Sequence, residues 1–189
     1  MGKVDSKDFR IPKAKGIPYG GGQERDLSKY FKESSKAHGM GKFRYMWVRL
    51  RNYLCFLLAY VAPSNKFRVA LNRWKGVHIA DGAYIGMFVF MDNAYPEYIF
   101  VEEDAAINAG CVLVAHFNPM AHFRRTVLAK VDPIVIKRGT MLGMRCMIMP
   151  GVTIGEYSMV SAASVVYKNV EKQMIVRGNP AEEIGKVRL

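Results

Sequence analysis

The chain has 189 residues, half of them apolar, with 28 Lys and Arg against 16 Asp and Glu and a formal net charge of +12. That length supports one domain with an attached segment and a substantial core. No apolar run reaches the ~18 residues of a spanning helix and no signal region is visible, while three widely spaced cysteines (Cys55, Cys111 and Cys146) exclude a disulfide framework, so a reducing, cytoplasmic location is expected.

The charge is uneven. Residues 1–76 hold 17 Lys and Arg against 5 Asp and Glu, and residues 77–189 hold 11 of each. This bears on partners, not on fold. Residues 1–40, with Gly20, Gly21 and Gly22 at their centre, predict an extended or partly disordered arm lying on a neighbour. Residues 43–62 then read as a strongly apolar helix carrying Arg44, Arg49 and Arg51 in its first half. Pro63 ends it, Ser64 is placed to cap a second helix over 65–74, and Gly76 closes that one. Two roles suit the first helix. It packs across an open end of the following domain, or it lies with its apolar face and arginines on an anionic membrane, peripheral to the bilayer. Nucleic acid is not expected, because no recognition motif accompanies the aromatic and basic residues.

From residue 77 a period of six takes over. Ile79, Ile85 and Met91 open one set of blocks, and Val101, Ile107 and Leu113 a second. Residues 136–170 form six continuous blocks, each opening with Ile, Leu or Val. Their fifth places hold Thr140, Cys146, Val152, Ser158, Ser164 and Val170. Neither a helix nor an ordinary strand has this period, so it predicts a parallel β-helix of three short strands per coil, about 18 residues a turn. The opening residues would point inward, and the compact fifth residues would fill the corners of a triangular core. Two interruptions break the phase. One follows Met91 and carries Asp92 and Asn93, read first as turn residues. The other, 114–133, carries His116, His122, Arg124 and Arg125; a loop this long in a compact repeat is usually functional.

The strings IMPGVTIG, VSAASVVYKNV and IVRGNPAEEIG, in that order, resemble the hexapeptide-repeat acyltransferases, and more closely the branch that O-acetylates sugars. The resemblance implies an all-β fold, a left-handed parallel β-helix over 77–189 with a protruding loop, preceded by the basic arm and helices of 1–76. It also implies a homotrimer using acetyl-coenzyme A as co-substrate, with no metal. By the same resemblance His116, at the root of the loop, is the general base, with His122 as the alternate. The motifs further place Gly143, Met144, Ala162, Tyr167 and Lys168 along the pantetheine, and Arg177 and Lys186 near the nucleotide phosphates. Acetyl-coenzyme A is already an activated thioester, so one imidazole that deprotonates an acceptor hydroxyl suffices, with backbone N–H groups around Gly143 as oxyanion donors. The acceptor is expected to be a sugar or glycan hydroxyl. Two other readings share the fold: a gamma-class carbonic anhydrase holding zinc through His78, His116 and His122, and a non-enzymatic β-helical scaffold.

Overall fold

An apolar residue at every sixth position can reach one common axis only if the chain turns by a third of a circle after each block. The computed structural model, which describes residues 3–17, 32, 34–36, 38–119, 123 and 125–188, shows this winding. The first coil is β2 (His78–Ile79), β3 (Tyr84–Ile85) and β4 (Phe90–Met91). The second is β5 (Ile99–Val101), β6 (Ala106–Ile107) and β7 (Val112–Leu113). The third is β10 (Ile134–Ile136), β11 (Met141–Leu142) and β12 (Met147–Ile148), and the fourth β13 (Thr153–Ile154), β14 (Met159–Val160) and β15 (Val165–Val166). Equivalent strands stack in parallel to make three faces, β2-β5-β10-β13, β3-β6-β11-β14 and β4-β7-β12-β15. The terminal hairpin of β16 (Met174–Gly178) and β17 (Ala181–Lys186) extends the second face. The register aligns the opening residues, so that Ile79, Val101, Ile136 and Ile154 form one buried column and Ile85, Ile107, Leu142 and Val160 another.

The corners obey two rules. The fourth place of nearly every block has a positive φ, whether it is Gly82, Gly110, Gly139 and Gly151 or Phe88, Asp104, Arg145, Tyr157 and Ala163. This is a demand of the winding; left-handed backbone in a non-glycine residue is uncommon elsewhere. The fifth place is buried, and where it is polar it joins one coil to the next. Thr140 Oγ1 donates to the Gly155 carbonyl at 3.0 Å, Cys146 Sγ to Ser161 at 3.1 Å, and Ser158 Oγ to Glu171 at 2.6 Å. Compactness is therefore half of what selects these residues, and hydrogen bonding the other half. All three cysteines are buried and free.

The first coil leaves a row of unpaired backbone groups, and the short helix Asn65–Lys75 covers it. Asn65 bonds the Ala83 carbonyl and the Ile85 amide, Arg68 the Ile85 carbonyl, Arg73 the Ile79 carbonyl, and Lys75 the Met91 carbonyl. All three strands of the coil are thus capped by side chains of one helix, whose Val69 joins the core. The cap is the second helix and not the first. The long helix Lys42–Val61 packs outside it and reaches β4 through Phe56, whose ring meets Phe90 edge-on at 5.4 Å. Ser64 precedes the short helix without making a side-chain cap bond.

The arm also departs from expectation. Residues 3–17 lie on their own coil: the Val4 amide bonds Asp81, the Ser6 hydroxyl bonds Glu103, and Phe9 packs against His78 and Phe100. The glycines 20–22 lie outside the described residues. The long interruption is structured at its root, where β8 (His116–Phe117) pairs with β9 (Lys130–Val131), and β9 with β1 (Lys15–Gly16) of the arm.

Gly143, like Gly86 and Gly155, marks a tight approach between coils. A Cβ there would sit 2.5 Å from the Ala162 nitrogen and 2.8 Å from the Val160 oxygen, both backbone atoms. Gly143→Ala should therefore cost about 1–3 kcal/mol of stability, as overpacking of a filled interior does. A lowered urea midpoint checks this, and Met144→Ala next to it, 59% exposed, should leave the midpoint unchanged.

Candidate active site

Asp92 and His116 are 24 residues apart, yet the coil stacks them. Met91 pairs with Leu113 in adjacent coils, so the residues that follow each strand leave the same corner one above the other. Asp92 is 1% exposed and uses both carboxylate oxygens. Oδ1 accepts from the Ala94 and Tyr95 amides, and Oδ2 from the Ala115 amide and from Nδ1 of His116 at 2.5 Å. Burial disfavours the charge of Asp92, but the bonds from His116 and these amides outweigh it and hold its carboxyl below the usual range. With Nδ1 tied to a carboxylate, the neutral ring presents its lone pair at Nε2. Asp92, read from sequence first as a turn residue, is the residue that orients His116.

The imidazole opens into a cavity of about 210 Å³ also lined by His38, Tyr45, Arg49, Phe90, Asn93 and Asn118. Its walls are braced. Arg49 donates to the Asn93 carbonyl at 2.8 Å, and the His38 ring stacks on Tyr95 at 4.7 Å. Lys75 is buried, and its ammonium bonds the Met91 carbonyl and the Asn93 side chain. Burial brings its pKa down to about 8, with the charge of Asp92 opposing that shift.

Phe90 also lines a second, larger hollow of about 780 Å³. This one runs over the corner after the second face, between Met144, Arg145 and Ala162 on one side and Tyr60 of the long helix on the other. Two of the expected cofactor residues, Met144 and Ala162, therefore meet at one corner and share a hollow that abuts the His116 cavity. Gly143 stands beside them, but its amide donates to the Val160 carbonyl at 2.7 Å. It is committed to the ladder and is no oxyanion donor. Tyr167 and Lys168 follow β15, on the next corner, and Arg177 and Lys186 lie on the terminal hairpin. One chain does not bring these four to the hollow. His122 lies outside the described residues. His78 stacks on Phe100 at 4.6 Å on the first face, where burial lowers its pKa. Among the described residues no group of three or more His, Cys, Asp or Glu is placed to hold a metal.

Residues 133–168 match the family model for the bacterial transferase hexapeptide, of six repeats. YvoF of Bacillus subtilis, named as an acetyltransferase, is 31% identical over 132 residues, covering 69% of this chain and 73% of that protein. A Staphylococcus aureus protein so named is 38% identical over 66 residues, which is 35% of this chain and only 33% of the relative. Among solved structures, a hexapeptide-repeat acetyltransferase of Vibrio cholerae complexed with acetyl-coenzyme A has a TM-score of 0.64 at 24% identity, covering 77% of this chain and 90% of that one. A galactoside acetyltransferase complexed with coenzyme A has a TM-score of 0.55 at 21% identity, covering 75% and 81%. A maltose O-acetyltransferase of Clostridium difficile reaches 0.60 at 17%, covering 76% and 88%. These structures share the fold.

Asp92→Ala should be among the most destabilising single changes in the protein. It strips three backbone amides and one imidazole of their acceptor, at about 1–3 kcal/mol for each buried donor left unpaired. Urea unfolding checks this. Asp92→Asn, which keeps an acceptor for Ala94 and Tyr95, should lose clearly less.

Proposed function

From the premise that this chain belongs to the hexapeptide-repeat acetyltransferase family, we propose that it is an acetyl-coenzyme A-dependent O-acetyltransferase with His116 as general base. The observation that carries this reading is the His116–Asp92 pair, set in a cavity that meets the Met144–Ala162 hollow at Phe90. A partly apolar hollow of about 780 Å³ suits a pantetheine arm, and the adjoining cavity suits an acceptor. In this reading the acceptor hydroxyl attacks the thioester carbonyl carbon while Nε2 of His116 takes its proton. The C–S bond then breaks, and the proton passes to the departing thiolate. Asp92 keeps the ring in the receiving tautomer and steadies the imidazolium.

The acceptor class we infer is a sugar hydroxyl, supported by the galactoside and maltose acetyltransferases that share the fold. The polar lining of His38, Arg49, Asn93 and Asn118 offers the donors and acceptors that hydroxyl groups need. A left-handed winding and a homotrimer complete the reading. Tyr167, Lys168, Arg177 and Lys186 stand away from Met144 and Ala162 in one chain. A threefold assembly supplies them to the coenzyme from a neighbouring chain, which gives their separation a purpose.

With acetyl-coenzyme A and a panel of sugars, His116→Ala should lower turnover by about 10²–10⁴-fold, the usual worth of a positioned base. Coenzyme A affinity, read by calorimetry, should hardly change. Turnover within a few-fold of the unaltered protein would refute the role of His116. Light scattering should give three times the chain mass of 21.3 kDa; a monomer would refute the shared coenzyme site.

A further inference from the structure

The long helix turns Tyr45, Asn52, Cys55 and Ala59 toward the protein, and its other side stands open. Nine large apolar side chains between Phe43 and Val61 are each 43–82% exposed, with Trp47, Leu50, Leu54 and Leu57 in the middle of that side. Soluble proteins seldom leave a continuous apolar strip of this kind bare. On the short helix, Phe67 and Trp74 are exposed as well.

The charge of the two helices says what the strip faces. From residue 42 to residue 75 there are eight Lys and Arg and no Asp or Glu. Five of the eight, Arg49, Arg51, Arg68, Arg73 and Lys75, donate to groups inside the fold. Arg44 and Lys66 are exposed. Apolar residues flanked by cations alone are complementary to an anionic amphiphile. Packing two copies of this surface together would instead oppose cation to cation. None of the described helices is long and apolar enough to cross a membrane. The inner side of this one is also fixed to the coil, so the helix can lie only in the plane of an interface.

We propose that the long helix docks the protein on an anionic lipid surface, its apolar side at the boundary of headgroups and acyl chains and Arg44 and Lys66 against lipid phosphates. This holds independently of the acetyl-transfer reading. The chain carries its own reporters, because its two tryptophans, Trp47 and Trp74, are 67% and 62% exposed.

The full chain is mixed with vesicles of phosphatidylcholine, or of phosphatidylcholine with an equal share of phosphatidylglycerol. The anionic vesicles should blue-shift the tryptophan emission and carry the protein upward on flotation. Binding should fall as salt rises, since screening shortens from about 10 Å at 0.1 M to about 3 Å at 1 M. The double variant Leu50→Glu with Leu54→Glu should bind at least tenfold more weakly, with light-scattering mass and circular dichroism unchanged. If that variant does not fold, the unaltered protein is tested with brominated acyl chains, which should quench its tryptophans. Four results would overturn the proposal: no emission shift at low salt, equal binding to both kinds of vesicle, no quenching by the brominated chains, or tryptophans already shielded from acrylamide without lipid. The last would assign the strip to contact between copies of the chain.

Discussion

A stack of parallel coils ends in strands with nothing to pair with. Every amide and carbonyl along that edge must find another partner, stay wet, or invite another chain. Here the first coil is closed by side chains. Asn65, Arg68, Arg73 and Lys75 lie on one side of an eleven-residue helix and meet carbonyls of all three strands. Four polar side chains in eleven residues look like a solvated surface. Two of them, Arg68 and Lys75, are instead buried, at 3% and 1% exposure. Burying an ammonium that bonds only neutral oxygens is costly, and the depressed pKa of Lys75 is the trace of that cost. Much else follows from this contact. It fixes the short helix, and the packing of the two helices then sets the long one over β4, where Tyr45, Arg49 and Tyr60 become walls of the two hollows.

The repeat was legible because its opening residues must be apolar at every rung, whatever else changes. The corner rule at the fourth place was not. Glycine would have advertised it, but Phe88, Asp104, Arg145, Tyr157 and Ala163 adopt the same backbone, and a positive φ leaves no mark in such residues. The basic segment was legible as charge and misleading as to purpose. It suggested an arm lying on a neighbour and a first helix that either caps the coil or meets a membrane, whereas five of its cations serve as internal hydrogen-bond donors to backbone oxygens.

At the site, His116 was visible from its place at the root of a long interruption, and Met144 and Ala162 from their motifs. Asp92 was not, since its partner lies 24 residues on and only the stacking of β4 beneath β7 unites them. Gly143 was visible as a special position for the wrong reason. Its amide is occupied, and what the position requires is the absence of a side chain between two backbones that neighbouring coils press together. Tyr167 and Lys168 belong to another corner because their place around the coil, not sequence distance, decides which residues share a hollow.

Both departures from the six-residue phase, residues 92–98 and 114–133, leave after the third face and rejoin at the first. The chain exits and re-enters at neighbouring rungs, so the inserted length is uncoupled from the ladder, and closing a longer loop costs little more than closing a short one. The same corner accommodates a short insertion in one coil and a long one in the next. It works as a socket in an otherwise rigid scaffold. New chemistry can be grafted there, or an old specificity exchanged, without altering a single stacked column of the core.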